Sequence, residues 1–251
     1  MRARIIRRWI GKVRRWPVHP QWLLAAQSHE NRDLERSLAQ LRGQVLDVGC
    51  AGKHLATRLP AECGYVGIDY PDTAVRLYQT RPDIFADARS LPFADASFQG
   101  VILKDVLEHV CDPNAALSEI GRVLVDEGRL IVWIPFVYPI HDAPHDFQRF
   151  TEHGLRSYLG AHGLCVEQLV PVLPPIETAA LMTCLALADA AEQIVLRKRW
   201  LLPLVPVLAL MVLMSNLAGR GLSWLPSTRF MPAFYRVMAV RETRHLGDRG
   251  T

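Results

Sequence analysis

The sequence predicts an α/β fold, a mostly parallel sheet with helices packed on both faces, and three observations carry that prediction. Residues 43–70 read as strand, tight glycine turn, short helix, strand and terminal acid, which is a βαβ unit. From there to about residue 170, segments of strand and helix type alternate. Half of the 251 residues are hydrophobic, enough for one full α/β core but cramped for a second independent domain.

The first unit sets the frame. Val45, Leu46 and Val48 form an apolar run of the kind found in strands buried on both faces. Gly49 and Gly52 allow a sharp turn and leave space where a side chain would block a ligand. Asp69 closes the second strand, 20 residues after Gly49. A carboxylate at that point can accept both hydroxyls of a ribose, as in nucleotide-binding α/β folds.

Four stretches stand in order, V-L-D-V-G-C (45–50), Y-V-G-I-D-Y (65–70), D-A-R-S-L-P-F-A-D-A-S-F-Q-G-V (87–101) and L-K-D-V-L-E-H-V (103–110), with R-V-L-V-D-E-G-R-L (122–130) behind them. Together they resemble the class I S-adenosylmethionine-dependent methyltransferases, in the group related to small-molecule and ubiquinone-pathway enzymes. The resemblance covers roughly residues 40–170 and the strand near 234–241. It implies a Rossmann-like seven-stranded, mostly parallel sheet with an antiparallel last strand. It also implies S-adenosyl-L-methionine as cofactor, held by Asp47, Gly49, Cys50, Gly52, Asp69, Tyr70, Asp87, Ala88 and Lys104, with Asp87 facing the adenine amino group. The family's turn is D-x-G-x-G-x-G, whereas this chain has Ala51 and Lys53 at the second and third glycine positions. Gly52 is expected to carry the turn instead, and Lys53 to open the following helix and point outward.

Charge is unevenly spread. The net charge is +4, yet seven Lys/Arg lie in residues 1–15 and the first acid is Glu30, so the rest of the chain is slightly negative. Residues 2–16 place Ile5, Ile6, Trp9, Ile10, Val13 and Trp16 on one helical arc with arginines and Lys12 around the rest. Residues 1–17 are therefore predicted to be a basic amphipathic helix suited to an anionic bilayer surface, each base contributing about 1 kcal/mol. A nucleic-acid arm would leave the apolar arc without purpose, so no nucleic acid is expected. Pro17 and Pro20 end the segment. The basic start lacks a continuous apolar core with a small-residue cleavage site, so no cleaved leader is expected. The five cysteines are odd in number and contain no C-x-x-C, which points away from a disulfide framework and a zinc site and suits a reducing cytosol.

The remaining elements follow in order, within one domain spanning 18–251. Residues 21–42 read as a helix before the first strand, a place where the family has a helix that helps cover the cofactor. After Asp69 comes a helix (71–80), then a short third strand ending at Asp87. The fourth strand, 98–103, ends at Lys104 and Asp105, at the crevice. Asp112, Pro113 and Asn114 start a helix that runs to Leu124, and 128–134 is the fifth strand.

Then comes P-F-V-Y-P-I-H-D-A-P-H-D-F-Q-R-F-T (135–151), where the family builds its acceptor pocket. It resembles a loop of bacterial methyltransferases associated with surface-glycan genes. His141 or His145 is expected to take the acceptor proton, with His109 behind them. An H-x-x-x-H pair is diagnostic of metal only on a helix, and the prolines argue against one here, so no metal is expected. Thr151 caps the next helix. Strands six (163–170) and seven (234–241) enclose an insertion at about 173–230, far longer than a hairpin.

No charged residue occurs from Trp200 to Gly219, 20 positions, with R-K-R before and Arg220 after. The run is long enough to cross a bilayer. A single crossing would part strand seven from its sheet, and Asp189 and Glu192 make the preceding segment a poor second span. A helical pair in one leaflet is predicted, placing the protein in the cytoplasm as a peripheral protein on the inner face of the cell membrane. Methyl transfer to an oxygen or nitrogen of a small-molecule, glycan or lipid-linked acceptor at the membrane surface is the expected activity. The alternatives are a nicotinamide-dependent oxidoreductase, whose G-x-G-x-x-G turn is missing here, and a non-catalytic membrane-associated binding protein with a degenerate cofactor site.

Overall fold

The computed structural model describes residues 16–26 and 28–243. The basic segment at 2–15 therefore lies outside the described residues. Two compact units emerge, one from the segments up to residue 32, 137–139 and 171–233, the other from 33–136, 140–170 and the chain from 234 onward.

The second unit holds the sheet. Its strands are β1 (Gln44–Val48), β2 (Gly64–Asp69), β3 (Ile84–Phe85), β4 (Phe98–Lys104), β5 (Leu124–Pro135), β6 (Leu164–Val172) and β7 (Phe234–Arg241). They run in the order β3-β2-β1-β4-β5-β7-β6. β1 pairs in parallel with both β2 and β4, and β5 pairs in parallel with β4 but antiparallel with β7. The seven-stranded, mostly parallel sheet with an antiparallel last strand is thus as expected.

Burial explains the strands. Val45, Leu46, Ile68, Val101, Ile102 and Val132 are shielded on both faces, which is why these segments lack the alternation of a half-exposed strand. Chain order reverses between β1 and β4, so their carboxyl ends splay apart and leave a crevice. On the sheet's flanks, α3 (Pro113–Val123) starts where the Asp112 side chain accepts from Ala115 N at 3.1 Å. α4 (Glu152–Ala161) starts where Thr151 Oγ1 accepts from Gly154 N at 3.0 Å.

Four local expectations need correction. The helix after the glycine turn is a single 3-10 turn, Ala56–Arg58. Lys53 sits at φ 55°, and Pro60 forces Leu59 to extended backbone (φ −75°, ψ 154°), leaving too few residues between for an α-helix. The helix predicted over 21–42, described as α1 (Trp22–Ala26) and α2 (Ser28–Leu38), ends at Leu38, short of the predicted end. The helix after β2 runs over 71–78, two residues short of the prediction, with Thr73–Tyr78 π-helical and left-handed Gln79 stopping it. β5 begins four residues earlier than predicted, because its register on β4 jumps from Phe98 opposite Leu124 to Gly100 opposite Arg129. The bulge between them contains left-handed Glu127.

The first unit is the insertion with its own core. α5 (Pro175–Arg197) packs on α6 (Val205–Gly221), joined through the 3-10 turn Arg199–Leu204. A Cβ on Gly219 would lie 2.6 Å from Ala180 Cβ, so glycine is what lets the two helices approach. Buried Asn216 donates to the carbonyls of Pro17 (2.7 Å) and His19 (2.9 Å), and buried Glu177 pairs with Arg220 at 3.2 Å.

Candidate active site

At the carboxyl ends of β1, β2 and β4 lies a cavity of about 420 Å³, within the range of small-molecule sites. Asp47, Gly49, Cys50, Asp69, Tyr70, Asp87, Ala88, Lys104, His109 and His145 all line it. Among the residues expected there, Gly52 and His141 are not in the lining.

The glycine turn is set by contacts on both sides. Gly49 is left-handed (φ 73°), and a Cβ on it would stand 2.4 Å from Val106 Cγ2, so any side chain would collide. The backbone N–H groups of Gly49 and Cys50 both donate to Ile68 O at 2.9 Å, tying the turn to β2. Gly52 does not replace the missing glycines: Ala51 (φ 43°) and Lys53 (φ 55°) themselves adopt left-handed backbone. Lys53 Nζ reaches Asp83 Oδ1 at 2.5 Å instead of opening a helix.

Three donors hold the Asp69 carboxylate. Its Oδ2 accepts from Ala51 N at 3.0 Å, and its Oδ1 accepts from Tyr70 N at 2.8 Å and Thr73 Oγ1 at 3.3 Å. Burial raises its pKa despite these donors. Asp47 is 2 % exposed and accepts from the Tyr65 hydroxyl at 2.7 Å. Burial pushes its pKa up to about 6, the Tyr65 hydrogen bond opposing. Burial likewise pushes the Cys50 thiol up to about 12, so it is a neutral, inert wall. Asp87 is fixed by Arg89, which holds its pKa below the usual range, and it also accepts from Arg89 N at 2.9 Å. Lys104 pairs with the Asp105 carboxylate and lies 5.8 Å from the centre of the Trp133 ring.

Loop 140–148 is stapled onto the 3-10 turn Leu107–His109. Phe147 N donates to Glu108 O at 2.9 Å, and Gln148 Nε2 donates to Leu107 O (3.1 Å) and Val110 O (2.8 Å). His109 Nδ1 lies 2.6 Å from His145 O. Arg149 grips both oxygens of Asp146 and draws its pKa to about 2, while His141 N donates to the same carboxylate at 2.9 Å. The Tyr78 hydroxyl donates to Asp142. These bonds bring His145 and Phe147 to the cavity and set His141 behind it.

Sequence reasoning passed over Glu108, Thr73 and Tyr78. Glu108 is fully buried, neither of its carboxylate oxygens accepts a hydrogen bond, and burial pushes its pKa up to about 8. The signal lay in L-E-H-V itself, where an acid directly follows Leu107, which the fold buries, and precedes a histidine.

A family model described as a methyltransferase domain matches residues 46–132. The O-methyltransferase rstn1 of Aspergillus nomiae is 30% identical over 149 residues, 54% of this chain and 66% of that protein. An uncharacterized methyltransferase of Mycobacterium bovis is 34% identical over 102 residues, 38% of this chain and 51% of its own. The chain thus spans between half and two thirds of these two curated relatives. Among solved structures, the cyclase SpnF superposes with a TM-score of 0.54 at 21% identity, covering 85% of this chain and 80% of that one. That likeness concerns the fold alone.

Proposed function

We propose, from the premise that this chain carries a class I S-adenosylmethionine-dependent methyltransferase domain, that it methylates an oxygen or nitrogen of a small-molecule, glycan or lipid-linked acceptor at a membrane surface. The observation that carries the reading is Asp69, hydrogen-bonded in place beside a left-handed glycine turn at the wall of a cavity of about 420 Å³.

The residues fit the cofactor. With three donors already on it, the Asp69 carboxylate keeps one acceptor site, on Oδ2, for a ribose hydroxyl. The missing Cβ at Gly49 keeps the turn close to β4, and Asp87 stands at the cavity wall for the adenine amine. S-adenosylmethionine supplies an electrophilic methyl on a sulfonium. What remains for the chain is alignment, exclusion of water and removal of one proton. His145, on the cavity wall, is the base we assign, a role typically contributing about 10²- to 10⁴-fold.

The membrane setting is supported by α6. Its Val207, Leu210, Met211, Met214 and Leu217 share one exposed helical face, while Val212, Asn216 and Gly219 are buried on the other. Trp200 and Trp224, 78% and 76% exposed, flank the apolar run. Aromatic residues at both ends and an apolar face between suit the headgroup boundary of a bilayer. Five free cysteines accord with the reducing, cytoplasmic side of the cell membrane.

Calorimetry with S-adenosylhomocysteine tests the cofactor step: the native chain binds and Asp69→Ala weakens binding at least tenfold. Binding of NAD(H) in its place, or no loss in Asp69→Ala, would overturn it. Transfer of labelled methyl groups into a total lipid extract tests the acceptor class. His145→Ala should retain the cofactor and lose most of that transfer.

A further inference from the structure

We propose that Glu108, His109 and His141 form a binding site for a divalent transition-metal ion, a function separate from the cofactor cavity's grip on a nucleoside. Three potential ligand atoms, one carboxylate oxygen and two imidazole nitrogens, lie within 4.8 Å of one another. Glu108 Oε1 is 3.7 Å from His109 Nε2 and 3.8 Å from His141 Nε2. The two rings meet edge-on with centroids 4.7 Å apart. At metal–ligand bonds of roughly 2.1 Å, atoms so separated subtend roughly 125° at a shared ion.

Tautomers decide the matter. His109 Nδ1 lies 2.6 Å from the His145 carbonyl, and only a protonated nitrogen can bond there, which leaves a lone pair on Nε2. His141 Nδ1 lies 3.3 Å from Asp146 Oδ2, an oxygen kept ionised by Arg149. We assign the proton of His141 to that nitrogen, which makes Nε2, 3.8 Å from Glu108 Oε1, the ligand atom. Both lone pairs converge on a carboxylate that is fully buried and accepts no hydrogen bond. Three acceptors facing one another are repulsive in a low-dielectric site. A proton on Glu108 can satisfy one imidazole at a time, whereas one cation satisfies all three groups.

The surroundings match what metal-bound histidines require. One imidazole is oriented by a backbone carbonyl and the other by a carboxylate that is itself clamped by arginine, and such partners fix both the tautomer and ring direction. Asp105, three residues before Glu108, adds a buried Oδ1 that accepts no hydrogen bond, a further oxygen on the same side of the fold. Two imidazoles and a carboxylate suit Zn²⁺, Mn²⁺, Fe²⁺, Co²⁺ or Ni²⁺, and not Ca²⁺, which takes six or more oxygens. His109 and Asp105 also line the cavity, so an ion held here stands at its wall.

The test uses the full chain stripped with chelator and titrated with Co²⁺, read by visible d–d absorption, and with Zn²⁺ by calorimetry. One ion per chain is expected, with a Kd of about 10 μM or tighter, about 7 kcal/mol of binding. Glu108→Gln and His141→Ala should each weaken binding at least about 100-fold, and Asp146→Asn about 10- to 100-fold. S-adenosylhomocysteine binding serves as the check on folding in every variant. His145→Ala, outside the triad, should leave the metal affinity unchanged. A chain that binds S-adenosylhomocysteine but neither metal at millimolar concentration overturns the proposal, as does Glu108→Gln or His141→Ala binding metal like the native chain. Metal binding without nucleoside binding would instead uphold the site and sink the methyl-transfer reading.

Discussion

Ala51 and Lys53 occupy the left-handed backbone that glycine would adopt without strain. A non-glycine residue there costs roughly 1 kcal/mol. Ala51→Gly should therefore raise stability by about 1 kcal/mol, some 2–4 °C in Tm, measured by thermal unfolding. Binding of S-adenosylhomocysteine should persist, since the bond from the residue's N–H to Asp69 is a backbone one. Asp47 carries a pH signature. Its folded pKa of about 6 stands above the ordinary value of about 3.9, chiefly through burial. The folded chain then holds a proton that the unfolded chain has lost, so its contribution is full below pH ~4 and is lost as pH rises through ~6. The loss is on the order of 3 kcal/mol. Replacing it by asparagine should flatten denaturant-derived stability between pH 4 and 6; an unchanged slope would show that Asp47 does not titrate there.

At the scale of elements, α6 has two contrasting faces, one buried and one exposed and apolar. Its inner face is held by Asn216, which binds two carbonyls of the segment before α1. Asn216→Ala would strand those carbonyls and should lower stability by about 2 kcal/mol, seen in a urea midpoint shift. Its outer face bears the exposed Leu210 and Met214. Glutamate at both positions should leave folding intact, because neither packs inward, and abolish co-flotation with anionic vesicles. Retained flotation would assign the apolar face to another use. The glycine turn shows an opposite kind of economy: its expected helix shrank to Ala56–Arg58 because the left-handed Lys53 and Pro60 bracket too short a stretch.

For the whole molecule, the proposed membrane contact has two contributors, the basic residues 2–16 and the face of α6. Deleting residues 2–16 should weaken vesicle binding and remove most of its salt sensitivity, since each base near an anionic surface contributes about 1 kcal/mol and is screened by salt. What stays after deletion is the salt-insensitive share of α6. The sequence by itself determined the parallel strands and the position of Asp69, because buried strands and a glycine turn followed by an acid are local patterns that neighbouring residues enforce. It also determined the apolar insertion, since 20 uncharged positions need no fold to be seen. Only the tertiary structure decided that His145 reaches the cavity and His141 does not, that Ala51 and Lys53 accept glycine's backbone, and that Glu108 is buried between two imidazoles. The outcomes at His145, His141 and Glu108 join residues more than thirty positions apart through hydrogen bonds from loop 140–148 to the turn at 107–109, and no local period or spacing encodes which side chains such bonds will face toward each other.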